Sequence, residues 1–341
     1  MAVQAIGDET MPTDVVTAPN CEDEFDPTLL SVDEAIAKIT RAIAPLMTVE
    51  QLPLRTALGR ILASDLHAPA DVPNHTNSAM DGYALRAADL EPGSPLTVVG
   101  TAWAGKPHSG AVANGECVRI MTGAVMPEHA DTVVMQEQVE LLDDKIRVAP
   151  GQKTGQHVRH AGEDLAAGEL ALRAGQRLAP AALGLIASLG IAEVPVFRRP
   201  RVAFLSNGDE LRSIGQPLNP GEVYDSNRYT LHGLLQRAGM DLIDLGVVPD
   251  DRAQIRSAFL SAANSADALI TSAGASVGDA DFIKDILDEV GEVSFWKIAM
   301  KPGRPLAFGR VGDALFFGLP GNPVSVMVTF YQFVLPALRR L

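Results

Sequence analysis

Three glycine-containing segments carry the residue types that could bind an anion. Their sequences are Thr-Ser-Ala-Gly-Ala-Ser-Val-Gly-Asp-Ala-Asp (271 to 281), Lys-Ile-Ala-Met-Lys-Pro-Gly-Arg-Pro (297 to 305) and Gly-Leu-Pro-Gly-Asn-Pro-Val-Ser (318 to 325). Glycine lets backbone N–H groups approach an anion closely, and the N-terminus of a helix favours negative charge. One such segment alone would be interpreted as a sharp turn. Three of them within one α/β pattern predict a site for a phosphate or another oxyanion.

The third segment is predicted to join a strand to a helix. The run 314–317 is short, apolar and bounded by Gly and Pro, as expected of a buried strand. Asn322 is a preferred helix N-cap residue, and Pro323 fits the first helical position. Apolar residues then recur at helical spacing, at Val324, Met327, Val328, Tyr331 and Leu335. Asn322 and Ser325 are therefore candidate site residues just beyond a strand.

The elements that must position these segments alternate between strand and helix. The pattern predicts strands at 202–205, 242–248 and 268–272, and helices at 227–238, 251–263 and 282–290. Such alternation indicates a parallel sheet, whose ligands bind outside the carboxyl ends of the strands. The candidate residues at those ends are Asp209, Glu210, Asp250, Ser276, Asp279 and Asp281.

The segment from Gly274 to Gly278 matches neither of the two common glycine-rich nucleotide motifs. It lacks the Gly-Lys-Ser/Thr of a Walker loop and the three-glycine spacing of a dinucleotide-binding fingerprint. A nucleoside triphosphatase and an NAD enzyme are therefore not expected.

The first half of the chain has a different pattern of predicted elements. Residues 1–27 are acidic and polar and are expected to form a flexible tail. Ser31 and Glu34 make a capping-box pair that begins a helix, and apolar residues between 54 and 62 predict a second short helix. Short alternating apolar runs between 71 and 167 predict a β-rich domain, and 180–189 is again helix-like.

This half offers its own polar candidates. Asp81, beside Gly82, reads by itself as a turn aspartate, and Thr122 follows a predicted strand. A polar patch contains His157, Arg159, His160, Glu163 and Asp164. A zinc site is not favoured there, because the two histidines lie three residues apart without a thiol or a clear third ligand.

Composition limits the classes of function. A 341-residue chain suggests about two domains, and 47% hydrophobic with 21% charged residues is typical of a globular protein. The net charge of −14 argues against nonspecific binding to nucleic acid or to an anionic membrane. With only Cys21 and Cys117, and no apolar run suited to a signal peptide or a membrane span, a cytoplasmic location is expected.

Eight motifs taken together resemble the molybdopterin molybdenumtransferase family, which includes MoeA and the gephyrin E domain. They start at residues 77 (Asn-Ser-Ala-Met-Asp-Gly-Tyr-Ala), 120 (Ile-Met-Thr-Gly-Ala), 161 (Ala-Gly-Glu-Asp), 208 (Gly-Asp-Glu-Leu), 275 (Ala-Ser-Val-Gly-Asp), 295 (Phe-Trp-Lys), 301 (Lys-Pro-Gly) and 318 (Gly-Leu-Pro-Gly-Asn-Pro-Val-Ser). The resemblance runs from about Ser31 to Leu341, with the motifs in the correct order.

The resemblance implies an elongated, multidomain α/β plus β-rich fold that forms a homodimer. The expected parts are a discontinuous linking domain (28–70 and 168–198), a β-rich domain (71–167) and a molybdopterin-binding domain (199–341). The last is expected to be a three-layer α/β domain like that of the molybdopterin adenylyltransferases, and an adenylyltransferase is a further expected partner.

The implied reaction inserts molybdate into adenylylated molybdopterin and releases AMP, with Mg²⁺ as the expected ion. Carried over by motif, the catalytic candidates are Asp81, Thr122, Asp164, Glu210, Asp250 and Asp281. The substrate-binding candidates are Lys297, Lys301, Arg304, Gly274, Ser276, Gly278, Asn322 and Ser325. Asp250 and Asp281 are the candidate metal ligands, and Asp81 and Thr122 are expected to complete the site of the partner subunit.

Three departures from the family pattern leave alternatives open. Ala273 and Ala275 replace a usual Gly and Val, and Arg304 stands where Lys is common, which changes how an anion would be held. Family members continue into a fourth, β-rich domain that supplies Arg and Ser to the molybdate pocket, whereas this chain stops at Leu341. A molybdopterin-binding scaffold without metal insertion, or an adenylyltransferase, are the alternative functions.

Overall fold

A computed structural model describes residues 29–91, 93–272 and 282–341 of the chain. Contacts divide the chain into two compact units. The first unit comprises the chain up to Pro45 together with Pro200–Leu341, and the second comprises Leu46–Arg199. Within the described ranges, no helix is both long enough and apolar enough to cross a bilayer. The predicted division into linking and β-rich domains is finer than these two units and stays a prediction.

Helix α1 (Val32–Ala42) begins at the predicted capping box. The hydroxyl of Ser31 accepts a hydrogen bond from the backbone N–H of Glu34 (3.2 Å), and the Glu34 carboxylate accepts one from the N–H of Ser31 (3.0 Å). Ile39, further along the helix, is buried in the core of the first unit. The helix therefore packs with the α/β part of the chain, although the sequence analysis grouped it with the linking domain.

The second unit is built mainly from short strands. Its elements are β1 (Val49–Pro53), β2 (Leu66–His67), β3 (Asn77–Ser78), β4 (Gly82–Leu85), β5 (Pro95–Ala102), β6 (Glu116–Ile120), β7 (Thr132–Met135), β8 (Val139–Leu142), β9 (Lys145–Val148), β10 (Val158–Arg159), β11 (Leu170–Leu172), α2 (Pro180–Ser188) and β12 (Glu193–Phe197). Six of the strands form one sheet in the order β7-β4-β6-β5-β9-β8, and the pairs β1–β12, β2–β11 and β3–β10 form three small sheets. The predicted β-rich character of this part and the predicted helix at 180–189 are confirmed.

The helix predicted between residues 54 and 62 is wrong. The structure has only a 3₁₀ turn at Leu54–Thr56. Gly59 has a φ of +76°, which ends any helical path, and Leu58 is 51% exposed. Only Ala57 and Leu62 of the apolar set are fully buried, because the segment bends into the core of the second unit at two points rather than along one helical face.

The first unit continues after β12 with alternating strands and helices. Its elements are β13 (Arg201–Asn207), β14 (Leu211–Arg212), β15 (Val223–Tyr224), α3 (Ser226–Ala238), β16 (Asp241–Val248), α4 (Arg252–Ser265), β17 (Ala268–Ser272), α5 (Phe282–Val290), β18 (Gly291–Lys297), β19 (Pro305–Val311), β20 (Ala314–Leu319), α6 (Pro323–Thr329), a π-helical stretch (Phe330–Val334) and α7 (Leu335–Arg340). Every strand and helix predicted between 202 and 335 is present, with boundaries shifted by a few residues.

The main sheet of the first unit has the strand order β16-β13-β17-β20-β19-β18. The first four strands are parallel, as predicted, but β19 is antiparallel to both β20 and β18. The sheet is therefore mixed. Its antiparallel pair arises because residues 298–304 reverse the chain directly, whereas the parallel strands are joined through helices.

Helices cover both faces of this sheet, which gives the predicted three layers. On one face, α1, α3, α6 and α7 pack over a core that includes Phe204, Ile270 and Phe317. On the other face, α4 and α5 pack over Leu205 and Phe316. Because neighbouring residues of a strand point to opposite faces, the polar residues at the strand ends are also divided between the two faces.

We expect Gly82→Ala to destabilise the second unit. An added Cβ would lie 2.0 Å from the carbonyl oxygen of Val134 on β7, so β4 and β7 would have to separate. Overpacking of this kind costs about 1–3 kcal/mol. The measurement is the urea midpoint of unfolding, followed by circular dichroism.

The matched control is Gly184→Ala, in the exposed middle of α2. An added Cβ meets nothing within 4 Å there, so the substitution should raise helix propensity and stabilise by about 0.5–1 kcal/mol. A Gly82→Ala midpoint equal to that of the wild type would contradict the close approach of β4 and β7.

Candidate functional site

Most of the described site candidates of the first unit lie along one edge of its main sheet. The carboxyl ends of β13, β16, β17 and β20 meet at this edge because the four strands are parallel. Strand β18 runs parallel to β20, so Lys297 at its end lies on the same edge. We call it the carboxyl edge. The candidates it brings together are Glu210, Asp250, Lys297, Lys301, Arg304, Asn322 and Ser325.

The strand order separates opposite charges along the carboxyl edge. Asp250 and Glu210 follow β16 and β13 at one end, whereas Lys297 closes β18 at the other. From β13 to β18 there are four strand spacings, or about 19 Å. A ligand with two chemically different ends could therefore contact carboxylates at one end and cations at the other.

At the acidic end, hydrogen bonds hold two aspartates beside β13. Asn207 donates through Nδ2 to Oδ1 of Asp250 (3.1 Å). The backbone N–H of Asp250 in turn donates to Oδ1 of Asp209 (3.1 Å). The Glu210 carboxylate folds back against Gly208. The φ of Gly208 is +144°, a backbone conformation that glycine adopts readily because it has no Cβ. Asp209, Glu210 and Asp250 thus all follow the ends of β13 and β16.

Behind these carboxylates lies a buried polar network that the sequence analysis missed. The hydroxyl of Ser206 donates to Oδ1 of Asp225 (3.0 Å) and lies 2.8 Å from the hydroxyl of Ser272. Asp225 also caps α3 by accepting from the N–H of Arg228 (3.1 Å), whose guanidinium contacts it and Asp244. Ser206, Asp225 and Ser272 are each at most 1% exposed. In the sequence, the only signal for them is that the two serines end apolar runs and that Asp225 directly precedes a predicted helix.

Past β20, Asn322 is the helix cap that the sequence predicts. Its Oδ1 accepts hydrogen bonds from the N–H groups of Val324 (3.0 Å) and Ser325 (3.3 Å). Ser325 is itself buried in the first turn of α6. The Asn227 amide donates to the carbonyl oxygen of Gly321 (2.7 Å), which ties this turn to α3. The side-chain oxygen of Asn322 is thus engaged in shaping the turn.

At the basic end, a short loop presents the cations. The loop is closed by a hydrogen bond from the N–H of Ile298 to the carbonyl oxygen of Arg304 (2.6 Å). Gly303 has a φ of +100°, and an added Cβ would lie 2.9 Å from Thr329. Lys297 and Lys301 are exposed. The close packing of Gly303 keeps the loop against α6 and leaves the lysines at the surface.

In the second unit, Asp81 and Thr122 form a pair at one end of the six-stranded sheet. Gly82 begins β4 and lies opposite Ile120, the last residue of β6. Oδ1 of Asp81 accepts from both the backbone N–H (2.7 Å) and the hydroxyl (2.8 Å) of Thr122. These bonds hold the pKa of the Asp81 carboxyl below its usual value, and the backbone bond has the largest effect.

Asp164 lies in a separate ion pair of the second unit. Nη2 of Arg159 donates to Oδ1 of Asp164 (2.5 Å), and Arg159 Nε lies 3.5 Å from Glu163. The bond to Asp164 raises the pKa of the Arg159 guanidinium above its usual value. Strand β10, which carries Arg159, pairs with β3, three residues before Asp81. Asp164 is therefore paired with Arg159 in the polar patch that the sequence indicated.

Five predicted residues, Gly274, Ser276, Gly278, Asp279 and Asp281, lie outside the described residues. Within the described part of the chain, His, Cys, Asp and Glu side chains form no cluster of three or more suited to a metal ion. The predicted metal ligands Asp250 and Asp281 stay a prediction.

We expect Thr122→Val to raise the pKa of Asp81 towards its usual range. The substitution removes the hydroxyl bond but keeps the backbone bond, which lowers the pKa of Asp81 most, so the pKa should stay partly lowered. Because the folded pKa is lowered, this carboxylate stabilises the fold fully above its unfolded pKa and loses that effect as the pH falls through the folded pKa. The measurement is a carboxyl-carbon NMR titration.

Thr122→Ser is the matched control, because it keeps the hydroxyl and should leave the Asp81 titration unchanged. An Asp81 pKa equal in Thr122→Val and the wild type would show that the hydroxyl bond does not form in solution.

Comparison with known proteins places both units in one family. Residues 30–190 match the MoeA N-terminal region (domain I and II), and residues 203–340 match the probable molybdopterin binding domain. The chain is 47% identical over 314 residues to the molybdopterin molybdenumtransferase of Haemophilus influenzae, covering 92% of this chain and 78% of that protein. It is 39% identical over 315 residues to molybdopterin molybdenumtransferase 2 of Mycobacterium tuberculosis, covering 89% and 77%.

A solved structure gives the same result for the fold. The crystal structure of the molybdopterin biosynthesis MoeA protein from Pyrococcus horikosii superimposes with a TM-score of 0.79 at 33% identity, covering 92% of this chain and 80% of that one. The match spans both units, and the sequence relatives agree with it. The chain therefore belongs to the molybdopterin molybdenumtransferase family.

Proposed function

We propose that this chain is a transferase that inserts molybdate into adenylylated molybdopterin, with release of AMP, in the synthesis of the molybdenum cofactor. The observation that carries the proposal is the carboxyl edge. It lies in the segment that matches the molybdopterin-binding domain, and it has carboxylates at one end and cations at the other. Adenylylated molybdopterin has the elongated, doubly phosphorylated form that such an edge could hold.

The acidic end fits a hard divalent cation such as Mg²⁺. Asp250 and Asp209 each use one oxygen to accept a hydrogen bond, which orients the carboxylate and leaves its second oxygen for a ligand. Mg²⁺ in phosphoryl-transfer sites binds one or two carboxylates, with phosphate and water as its remaining ligands. Asp250, with Asp281, would hold the ion, which when bound would neutralise pyrophosphate charge. Without a cation, the carboxylates would repel the substrate.

The basic end fits the incoming oxyanion and the leaving phosphate. Lys297, Lys301 and Arg304 supply positive charge in a chain whose net charge is −14, so an anion would be drawn to this end of the edge. Cleaving the anhydride leaves AMP with an additional negative charge, and fixed cations stabilise such developing charge. The lysines would therefore serve both in binding molybdate and in AMP release.

The second unit would act on the site of the partner subunit in a homodimer. This part of the proposal rests on the family resemblance and on the chemistry of Asp81 and Thr122, an exposed hydrogen-bonded pair suited to contact a ligand or a cation. An adenylyltransferase that hands over the unstable adenylylated substrate, and a cytoplasmic location, belong to the same proposal.

The direct test is AMP release from adenylylated molybdopterin with Mg²⁺ and molybdate. We expect release to depend on molybdate, to stop on chelation and to return with Mg²⁺. Lys297→Ala should raise the KM for molybdate by about 10- to 100-fold, because a charge-assisted bond is lost. Lys145→Ala, at an exposed position of β9, is the matched control and should leave the KM for molybdate and the rate of AMP release unchanged.

Other results would replace the proposal. Molybdopterin binding without AMP release would indicate a scaffold. Consumption of ATP with free molybdopterin would indicate an adenylyltransferase.

The shared site predicts complementation between two inactive variants. In mixed dimers of Asp81→Ala and Asp250→Ala, one of the two sites would receive both intact residues. Random exchange of subunits should therefore restore about a quarter of wild-type activity. Mixtures of Asp81→Ala with Thr122→Ala have both lesions in the same unit and should stay inactive. A site confined to one chain would give no recovery in either mixture.

A further inference from the structure

The carboxyl edge contains buried polar atoms that have no partner. Among the described residues, the side-chain atoms with this property in the first unit are Oδ1 of Asn207, Oγ1 of Thr271 and Oδ1 of Asn227. All three residues lie at the carboxyl edge or in the helix that follows it. Buried polar atoms are nearly always paired, because an unpaired one destabilises the fold. An unpaired group retained beside a candidate site therefore points to a ligand.

Asn207 is the best defined of the three. The residue is 8% exposed, and Nδ2 donates to Oδ1 of Asp250. A carboxylate only accepts hydrogen bonds, so the amide must turn its N–H group towards Asp250. The unpaired atom is thus the carbonyl oxygen of Asn207, which needs a donor.

Hydrogen bonds of the preceding residue fix the position of Asn207. The preceding residue, Ser206, is bonded to Asp225 and Ser272 on the opposite face of the sheet. Thr271 pairs with Leu205, so it shares the face of Asn207 on the neighbouring strand. Two unpaired oxygen atoms therefore lie on one face of two neighbouring strands, and that of Asn207 belongs to the amide that contacts Asp250.

We propose that Asn207 is a substrate-binding residue whose Oδ1 accepts a hydrogen bond from an N–H or O–H group of adenylylated molybdopterin. The proposal rests on the proposed function. Both halves of this substrate carry donors, namely the ring N–H and amino groups of the pterin and the hydroxyls and amino group of the adenylate. Oδ1 is screened from water in the unliganded chain and becomes paired as the edge adjusts to the substrate.

The test compares Asn207→Leu with a matched variant, Asn219→Leu. Asn219 also donates through Nδ2 to a carboxylate at 3.1 Å, that of Glu222, but it is exposed, so water can solvate its carbonyl oxygen. We expect Asn207→Leu to weaken binding of adenylylated molybdopterin about tenfold, measured by calorimetry without molybdate. Asn219→Leu should bind like the wild type.

Stability separates a binding role from a structural one. Asn207→Leu removes an unpaired buried acceptor, and water can replace its bond to the exposed Asp250. The urea midpoint of the unliganded variant should therefore equal or exceed that of the wild type. A lower midpoint together with unchanged binding would assign Asn207 a structural role and overturn the proposal. Asn207→Ser, which is too short to reach the substrate, is the second variant if the leucine side chain is not tolerated.

The same measurement in an Asp250→Ala background isolates the Oδ1 contact. If Oδ1 binds substrate, Asn207→Leu weakens binding there too. If the effect disappears, Asn207 acts only through Asp250 and the proposal is wrong.

Binding of AMP alone locates the hydrogen-bond donor within the substrate. A tenfold loss of AMP affinity in Asn207→Leu places the donor in the adenylate, and a loss confined to the full substrate places it in the pterin half. Because binding is measured without turnover, a wild type that binds but releases no AMP would refute the proposed function and leave this test intact.

Discussion

A single buried carboxylate, that of Asp225, links the parts of the first unit that form the carboxyl edge. It accepts hydrogen bonds from Ser206 on β13 and from the backbone of Arg228 in α3, and the same arginine pairs with Asp244 on β16. Through Ser206 the network reaches Ser272 at the end of β17. A charge this deeply buried is tolerated only when it is paired, so removing any partner would loosen three strand ends at once. The edge can present functional groups because this network fixes the strands behind it.

The arrangement of charge on the edge follows from topology rather than from composition. The chain has 42 acidic and 28 basic residues, which alone would predict repulsion of any phosphate. In the mixed sheet, the loop 298–304 that reverses the chain between β18 and β19 lies at the opposite end of the strand order from β13 and β16. Three cations thus lie several strand spacings from the nearest carboxylates of the acidic end. A purely parallel sheet would have required a helix between β18 and β19 and would have spread this loop away from the edge.

Local signals in the sequence were enough to predict the alternation of strands and helices and the residues that end each strand. The Asn322 cap, the Ser31–Glu34 capping box and the run 268–272 are all local patterns, and each is present. The helix expected between 54 and 62 failed because apolar spacing does not reveal that Gly59 adopts a positive φ. The pairing of Ser206, Asp225 and Ser272 was missed because it joins residues 19 and 66 positions apart. Contacts at such separations depend on the folded sheet, and no periodicity encodes them.

The hydrogen bonds of the second unit constrain what its carboxylates can do. A general base works best when its pKa lies near the working pH, yet the bonds from Thr122 hold the pKa of Asp81 below its usual value. The hydroxyl of Thr122 is already donated to Asp81, and Asp164 is already paired with Arg159. Asp81 is therefore suited to remain negative and to orient a cation or a substrate hydroxyl, rather than to take up a proton.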